Sequence, residues 1–270
     1  MLKLACADVM IPGNSWTEKA EKIRELGFVG MSIFTPRDGF GSSELEELQN
    51  LEKKTEIKPV EFVFSSDMYG KLMDTDQRVR DKAFSLYAET IEVCASIGAL
   101  TEMEYEYRTQ DQLPLFDPYP PIPAEEEKQL AGIMEQLCLL SGNKKVPILL
   151  EPCNRYECRY IKQISDAKKI LKMVPCDNAG ILADTFHLSI EESNLSASIL
   201  DSGSLIKHVH LGDNNRLLPG QGSLPWKSIL SAFKQINYQG YMALECGING
   251  DPMVELNKFA SDFQKLWMTV

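Results

Sequence analysis

Four ionisable side chains in the second half of the chain each close an apolar segment. They are Glu151, Asp184, His210 and Glu245, and the segments that they close are VPILLE, AGILAD, IKHVH and GYMALE. Carboxylate oxygens and imidazole nitrogens are side-chain groups that bind divalent metal ions. Three carboxylates would repel one another if they met without a cation between them. The four residues therefore predict a metal site, provided that the fold brings the ends of these segments together.

The chemistry of this set favours a hard divalent cation. Oxygen ligands dominate it, which suits Mn²⁺ first, with Mg²⁺ or Co²⁺ as alternatives, better than a metal that prefers thiolates. A single acid at the end of a segment is commonly a solvated loop residue. Four such residues in successive segments are much harder to explain in that way, and we interpret them as one site.

The elements that must position these residues alternate along the chain. Eight short apolar segments are each followed by a longer amphipathic one, which is typical of strand–helix units with parallel strands. Eight such units in 270 residues predict an α/β protein whose single domain, residues 1–270, is a (β/α)8 TIM barrel. The strands of such a barrel all end on one rim, where active sites are built. The predicted strands are KLACAD, FVGMSIF, KPVEFVFS, ALTEMEYEY, VPILLE, AGILADTFH, IKHVHLGD and GYMALECG.

Helix-start and helix-end residues lie between the predicted strands. Gly27 is placed to end the first helix, and Pro225 suits the first turn of the seventh. The helices are predicted in SWTEKAEKIRELG, SSELEELQNLEKKTE, residues 75–97, AEEEKQLAGIMEQLCLLSG, ISDAKKILKMV, IEESNLSASIL, LPWKSILSAFKQI and DPMVELNKFASDFQKLW.

Composition limits the partners that the protein can have. A net charge of −11 disfavours binding to a phosphate backbone, so no nucleic-acid partner is expected. No segment approaches the roughly 18 consecutive apolar residues of a membrane span, and the N-terminus is predicted to be a strand, so no membrane partner is expected. Seven cysteines without a dense pattern predict free thiols in the cytoplasm. Cys153 and Cys158 lack a second pair at zinc-site spacing, which argues against a cysteine metal site.

The segments around the four ionisable residues also contain dense motifs. These are EPCNRYE, DTFHLSIEE, HVHLGDNNRLLPGQGSLPW and GYMALE. They resemble the xylose-isomerase-like TIM barrels, the sugar phosphate isomerases and epimerases, and most of all the ketose 3-epimerases of the D-tagatose/D-psicose (allulose) type. The resemblance covers the whole second half, whereas the first half shares mainly the strand–helix alternation. It implies Glu151, Asp184, His210 and Glu245 as the metal ligands, the same four residues.

The resemblance implies a metal-dependent ketose 3-epimerase that removes and returns a proton through a cis-enediolate. Glu151 and Glu245 would act both as ligands and as the acid/base pair, since they come from strands that two others separate, while Asp184 and His210 would be ligands only. An aldose–ketose isomerase or a sugar/inositol dehydratase could use the same metal site. An apurinic endonuclease would need more histidines than this chain has, and a non-catalytic sugar-binding barrel would not need all four ligands. Family members often form dimers or tetramers.

Four further residues are assigned supporting roles. The resemblance implies Glu157, His187 and Arg216 as contacts to the hydroxyls of a small sugar. The alternatives are a surface acid at a helix start for Glu157, a polar core residue for His187 and a loop ion pair for Arg216. His208 shares a strand face with His210 and lies one layer lower. We expect it to orient a ligand or a carboxylate, or to be a buried histidine without a catalytic role.

The first half departs from the family pattern. FVGMSIF ends in apolar residues where relatives often have an acid, and ALTEMEYEY carries Glu102, Glu104 and Glu106 where relatives tend to have small residues. The sequence leaves open which of these three glutamates enters the pocket. Phe116 and Tyr119, in the Pro-rich stretch LPLFDPYPPIP, are candidates for an apolar cover over the sugar. LLPGQG predicts a tight turn and lacks the residues of a phosphate-binding loop.

Overall fold

The computed structural model describes residues 2–106 and 122–270, and its centre is a sheet of eight parallel strands. The strands are β1 (Lys3–Ala7), β2 (Gly30–Pro36), β3 (Lys58–Ser65), β4 (Thr101–Met103), β5 (Ile148–Leu150), β6 (Ala179–Asp184), β7 (Ile206–Leu211) and β8 (Tyr241–Leu244). They pair in the order β3-β2-β1-β8-β7-β6-β5-β4. The two edges then meet, because Phe62 N donates to Leu100 O at 2.9 Å and Leu100 N donates to Val60 O at 3.1 Å. The predicted (β/α)8 barrel is confirmed.

Helices connect the strands on the outside of the barrel. They are α1 (Trp16–Glu25), α2 (Ser42–Thr55), α3 (Gln77–Ile97), α4 (Ala124–Ser141), α5 (Ile164–Leu171), α6 (Thr185–Glu191), α7 (Leu195–Ser202), α8 (Trp226–Gln235) and α9 (Pro252–Thr269). Local signals set several of their ends. Ser15 caps α1 by accepting a hydrogen bond from Glu18 N, and Gly27 follows the helix with a φ of 88°, as predicted.

Several predicted elements end at other residues, and three of these differences bear on the site. The fourth strand stops at Met103, because the carbonyl of Glu104 accepts a hydrogen bond from Tyr87 Oη at 3.1 Å and not from a neighbouring strand. The sixth strand stops at Asp184, whose carboxylate caps α6, so the residues TFH are helical. The predicted helix IEESNLSASIL is two helices, because Asn194 begins α7 with its own side-chain cap. Pro225 immediately precedes α8 and does not lie in its first turn.

A β-bulge shapes the inside of the barrel. The pairing of β2 with β3 slips by one residue between Met31 and Ser32. Val60 packs in a small apolar cluster with Ala5 and Ala243, while its neighbour Glu61 reaches a side chain on β7. Neighbouring residues of a regular strand point to opposite faces, so the bulge is what allows both to face the interior.

Three further predictions concern the apolar cover over the sugar, membrane spans and the cysteines. The stretch 113–123 that contains Phe116 and Tyr119 begins outside the described residues, and these two residues lie outside them as well. Within residues 2–106 and 122–270, no helix combines the length and the apolar character that crossing a membrane requires. All seven cysteines are free thiols.

Candidate functional site

The structure brings the four predicted ligands together at the carboxyl ends of the last four strands. Glu151 follows β5, Asp184 ends β6, His210 lies in β7 and Glu245 follows β8. One potential ligand atom from each lies within 4.8 Å of the others. His210 Nδ1 is 3.6 Å from Glu151 Oε1 and 3.2 Å from Glu245 Oε2. The arrangement has the common centre that a single cation requires.

Burial and neighbouring charges act in opposite directions on the acids of this cluster. Burial raises the pKa of Glu151. Burial also opposes the charge of Asp184, but Arg216 and His187 outweigh it and lower the pKa of Asp184 to about 2. Glu245 is the most accessible of the four, with about a quarter of its side chain exposed (27%). Glu245 is therefore the carboxylate of this cluster that lies nearest to solvent.

The donor set fits a divalent cation. Among the described residues, Glu151 Oε1 and His210 Nδ1 are buried and have no hydrogen-bond partner. Buried polar atoms are seldom left in that state, and a cation between them would satisfy both. Three carboxylates and one imidazole suit Mn²⁺, Mg²⁺ or Co²⁺. Cys153 lies near Glu151, but burial raises the pKa of its thiol, so it is a poor source of a thiolate ligand.

Sequence reasoning missed Glu61, which orients His210. Its Oε2 accepts a hydrogen bond from His210 Nε2 at 2.9 Å, so Nδ1 is the nitrogen that faces Glu151 and Glu245. Burial opposes the charge of Glu61, but His210 and His208 beside it hold its pKa below the ordinary value. The only signal in the sequence was one acidic residue in the middle of the apolar segment KPVEFVFS.

His208 lies beside the same carboxylate. Its Nε2 is 3.6 Å from Glu61 Oε2, and the rings of His208 and His210 are 5.3 Å apart, edge to face. Neither ring nitrogen of His208 has a hydrogen-bond partner among the described residues, so both roles predicted for it stay open. The two histidines on one strand face therefore share one buried acid.

Arg216 contacts two of the predicted ligands directly. Its Nη1 donates to Asp184 Oδ2 at 2.6 Å, and its Nη2 donates to Glu245 Oε2 at 2.7 Å. The guanidinium also lies over the ring of Phe186, 4.6 Å from its centroid. Burial disfavours the charged guanidinium, but the carboxylates of Asp184 and Glu245 outweigh it and raise the pKa of Arg216 above its ordinary value. Arg216 is thus a fixed positive charge at the edge of the cluster.

The loop that carries Arg216 is organised by Asp213, another residue that the sequence did not single out. Its Oδ1 accepts from Asn214 N and Leu224 N, and its Oδ2 accepts from Gly220 N and Trp226 Nε1, all within 3.1 Å. This ring of donors fixes the turn LLPGQG. Arg216 itself has a φ of 58°, an uncommon backbone conformation that the loop imposes.

The two glycines of this turn are needed for different reasons. Gly220 has a φ of 93°, as expected from the turn prediction. Gly222 is needed for space, since a Cβ there would lie 2.2 Å from Asp213 Oδ1.

His187 and Glu157 are linked through Asn154, which the sequence did not single out. Asn154 N donates to His187 Nδ1 at 3.2 Å, and Asn154 Nδ2 donates to Glu157 Oε1 at 2.7 Å. A backbone N–H can only donate, so His187 carries its proton on Nε2 when neutral. That atom is 3.8 Å from Asp184 Oδ2. His187 therefore presents a donor beside the cluster, and the half-buried Glu157 presents acceptor oxygens.

Of the three glutamates in the segment ALTEMEYEY, Glu102 in β4 and Glu104 just after it lie beside the site. Both are buried, and Tyr69 Oη donates to Glu102 Oε1 at 2.6 Å and lies 3.3 Å from Glu104 Oε1. Glu102 Oε2 is 4.0 Å from His210 Nδ1. Burial and then the charge of Glu151 raise the pKa of both glutamates. Glu106 is only half-buried and lines a separate surface cavity with Tyr105.

Comparison with protein-family models identifies the fold family. A model described as xylose isomerase-like TIM barrel matches residues 20–261 of the chain. The chain belongs to the xylose isomerase-like TIM barrel family. The resemblance inferred from the second-half motifs is thereby confirmed for this family, and the match extends through most of the first half as well.

Curated relatives of this xylose isomerase-like chain match it over part of their length. A D-psicose 3-epimerase of Enterocloster bolteae is 41% identical over 96 residues, which are 36% of this chain and 32% of that protein. A 3-dehydro-D-guloside 4-epimerase of Escherichia coli is 33% identical over 119 residues, which are 44% of each. The matched part of the chain thus spans about a third to just under half of the length of these relatives.

Solved structures share the xylose isomerase-like fold over nearly the whole chain. The 3-keto-D-glucoside 4-epimerase of E. coli superimposes with a TM-score of 0.84 at 23% identity, covering 98% of this chain and 100% of that one. The D-psicose 3-epimerase of Clostridium cellulolyticum H10, solved with D-tagatose, gives 0.82 at 21% identity, covering 100% and 99%. At this level of identity the similarity establishes the fold.

Proposed function

We propose that the protein is a divalent-metal-dependent sugar epimerase, and specifically a ketose 3-epimerase that acts through a cis-enediolate. One observation carries the proposal: Glu151, Asp184, His210 and Glu245 converge on one centre, with the two glutamates contributed by strands that β6 and β7 separate. The curated relatives support it, since they are epimerases that act on a psicose and on a dehydro-guloside. Both reactions invert a carbon of a sugar.

The four converging residues would hold the cation, with Mn²⁺ first and Mg²⁺ or Co²⁺ as alternatives. When bound, a divalent ion there stabilises negative charge that develops on neighbouring carbonyl and hydroxyl oxygens of the sugar. Glu61 would keep His210 Nδ1 aimed at this position through the hydrogen bond to Nε2. Asp184 and His210 have no other task in this scheme.

Glu151 and Glu245 would move the proton. One carboxylate removes the proton from the carbon beside the carbonyl, and the other returns a proton to the opposite face, which inverts that carbon. Burial raises the pKa of Glu151, which brings it closer to the pH at which a side chain can both accept and release a proton. Arg216 donates a hydrogen bond to Oε2 of Glu245 and so holds this carboxylate in place on its side of the site.

The remaining groups would hold the sugar in place. His187 offers an Nε2–H donor, Arg216 offers guanidinium donors, and Glu157 offers acceptor oxygens to the hydroxyls. Arg216 cannot lose its proton, so it orients the sugar without entering the proton transfer. A substrate held by fixed donors and acceptors keeps one carbon between the two glutamates.

Isotope exchange in D₂O tests this function. The purified protein, loaded with Mn²⁺, is incubated with free ketohexoses, and the position of deuterium is read by NMR. Deuterium at C3 together with interconversion of the C3 epimers is expected. Deuterium at C1 or C2 would indicate an aldose–ketose isomerase, and loss of water a sugar/inositol dehydratase. No exchange across a wide panel of ketoses and ketose phosphates would reject the proposed class.

Epimerisation of a keto-glycoside at C4 is a second candidate. The E. coli relative that acts on 3-dehydro-D-guloside favours it, because removing a proton from C4 beside a C3 carbonyl requires the same two bases. Deuterium at C4 of a 3-keto-glycoside, with none at C3 of any ketohexose, would assign this reaction instead.

Assembly into a homodimer or homotetramer is also proposed, and light scattering with size-exclusion chromatography would measure it.

A further inference from the structure

We propose that Glu102, Glu104 and Glu151 form a second divalent-cation site, which shares Glu151 with the four-residue site. This inference rests on the proposed function, because Glu151 is a ligand in both sites. One carboxylate oxygen from each of the three residues lies within 4.8 Å of the others. Ligand oxygens on one octahedral ion are roughly 3 Å apart when adjacent and roughly 4.2 Å apart when opposite. Small side-chain rotations are therefore enough to place all three on one ion.

Buried carboxylate oxygens without a hydrogen-bond partner distinguish this cluster from an ordinary group of surface acids. Glu102, Glu104 and Glu151 are only 4%, 6% and 5% exposed. Within the described ranges, Oε2 of Glu102, Oε2 of Glu104 and Oε1 of Glu151 are buried and have no hydrogen-bond partner. Tyr69 Oη contacts the other oxygen of both Glu102 and Glu104, which leaves one oxygen of each carboxylate for a further partner. A carboxylate buried in this way is costly unless it meets a cation or hydrogen-bond donors.

The charge balance of the interior points to a cation at this place. Arg216 and one divalent ion together offset the charges of Glu151, Asp184 and Glu245. Glu61 is next to two histidines, so its charge has partners of its own. No lysine or arginine from the described part of the chain forms an ion pair with Glu102 or Glu104, so only protons or a metal ion can neutralise these two carboxylates. A second divalent cation offsets both at once.

The ligand chemistry indicates the kind of ion. The three carboxylates supply only oxygen, which suits Mn²⁺ or Mg²⁺ and gives no advantage to a metal that prefers imidazole or thiolate. A carboxylate shared between two ions is the arrangement of two-metal sites, in which the ions are roughly 3.5–4 Å apart. The second ion would lie on the β4 side of the four-residue site, next to Glu102 and Glu104.

Metal stoichiometry and electron paramagnetic resonance test the second site without reference to turnover. The protein is stripped with a chelator, equilibrated with Mn²⁺ and dialysed, and its manganese content is measured. We expect about two Mn²⁺ per chain and the broadened spectrum of a magnetically coupled pair. Glu104→Gln and the double variant Glu102→Gln/Glu104→Gln should each bind about one, with the six-line spectrum of an isolated ion. Glu157→Gln is the matched control, since this pocket carboxylate belongs to neither cluster, and it should bind about two.

The outcomes separate the second site from the proposed function. One Mn²⁺ per chain with an isolated spectrum in the unmodified protein overturns the second site and leaves the epimerase proposal standing. No Mn²⁺ at all overturns both. Two Mn²⁺ that persist in Glu104→Gln and in the double variant overturn the assignment to these residues. The unmodified protein alone decides whether two ions bind, so the test does not depend on how well the variants fold.

Discussion

Nε2 of His210 donates a hydrogen bond to Oε2 of Glu61 across the inside of the barrel, at 2.9 Å. The two residues lie on β7 and β3, which are four strands apart in an eight-stranded order and so face each other. Because an ionised carboxylate only accepts, the contact assigns the Nε2 proton and leaves Nδ1 for the acidic cluster. One residue of the first half thus sets the ligand geometry of the second half.

Replacing Glu61 with glutamine should weaken metal binding at the four-residue site. The amide keeps the shape and an acceptor oxygen but loses the charge that polarises His210, and such changes commonly lower metal affinity by about 10- to 100-fold. Titration calorimetry of the stripped protein with Mn²⁺ measures the dissociation constant. Glu157→Gln serves as the control and should leave it unchanged. An unaltered affinity in Glu61→Gln would show that the hydrogen bond does not tune the ligand.

Glu151→Gln and Glu245→Gln should each reduce interconversion of the sugar epimers by about a thousandfold while the barrel stays folded. General acid–base catalysis typically contributes about 10²- to 10⁴-fold, and each glutamate serves one face of the sugar. Residual deuterium exchange should be confined to the epimer whose proton points at the remaining glutamate. NMR of the sugar and thermal melting of the protein give the two readouts. Near-normal interconversion by either variant contradicts the two-base mechanism.

Arg216→Gln should impair sugar binding without weakening metal binding. The guanidinium neutralises Asp184 and Glu245, so its removal leaves a more negative cluster that holds a cation at least as tightly. Loss of a charged hydrogen bond to the sugar should raise KM by about tenfold or more. Kinetics and Mn²⁺ titration separate the two effects, and the exposed Arg159→Gln is the control. A loss of metal affinity in Arg216→Gln would mean that this residue organises the ligands.

Asp213→Asn should destabilise the protein at neutral pH by about 2 kcal/mol, because two N–H donors would then face an amide NH₂. Burial by itself raises the pKa of Asp213, but the donors around it outweigh burial and lower it. The stabilisation is therefore present above the ordinary aspartate pKa of about 3.9 and is lost as the pH falls through the lowered folded value.

Thermal melting of wild type and Asp213→Asn across this pH range checks that sign. The gap between the two melting temperatures should be widest near neutral pH and should narrow towards about pH 3. Asp262→Asn, which removes an exposed carboxylate, should show little gap at any pH. A gap that is constant with pH would mean that the charge of Asp213 does not hold the loop.

Metal affinity should rise with pH across the neutral range. Burial opposes the charge of His210, but Glu61 and Glu245 outweigh it and raise its pKa well above the ordinary value. A cation must displace that proton to reach Nδ1, so acid favours the proton and alkali favours the metal. Mn²⁺ titrations between about pH 6 and pH 8.5 should show up to about a tenfold gain per pH unit. A flat profile would indicate that His210 is already neutral before the metal binds.

The sequence by itself determined the fold and the four strand-end residues. Alternation of apolar and amphipathic segments is local information, and eight repeats in 270 residues leave few architectures other than a closed barrel. Parallel strands then place Glu151, Asp184, His210 and Glu245 on one rim, because their carboxyl ends all point the same way. The helix end at Gly27 was predictable for the same reason.

The tertiary structure decided which further side chains reach that rim. Glu61 faces His210 only because the barrel closes and a bulge turns the strand. Neither feature can be predicted from a short stretch of sequence. Glu102 and Glu104 enter the site, whereas Glu106, further along the chain after the end of β4, is half-buried beside a separate cavity. Contacts between residues far apart in the chain depend on strand register and closure, and these are properties of the packed whole rather than of any local pattern.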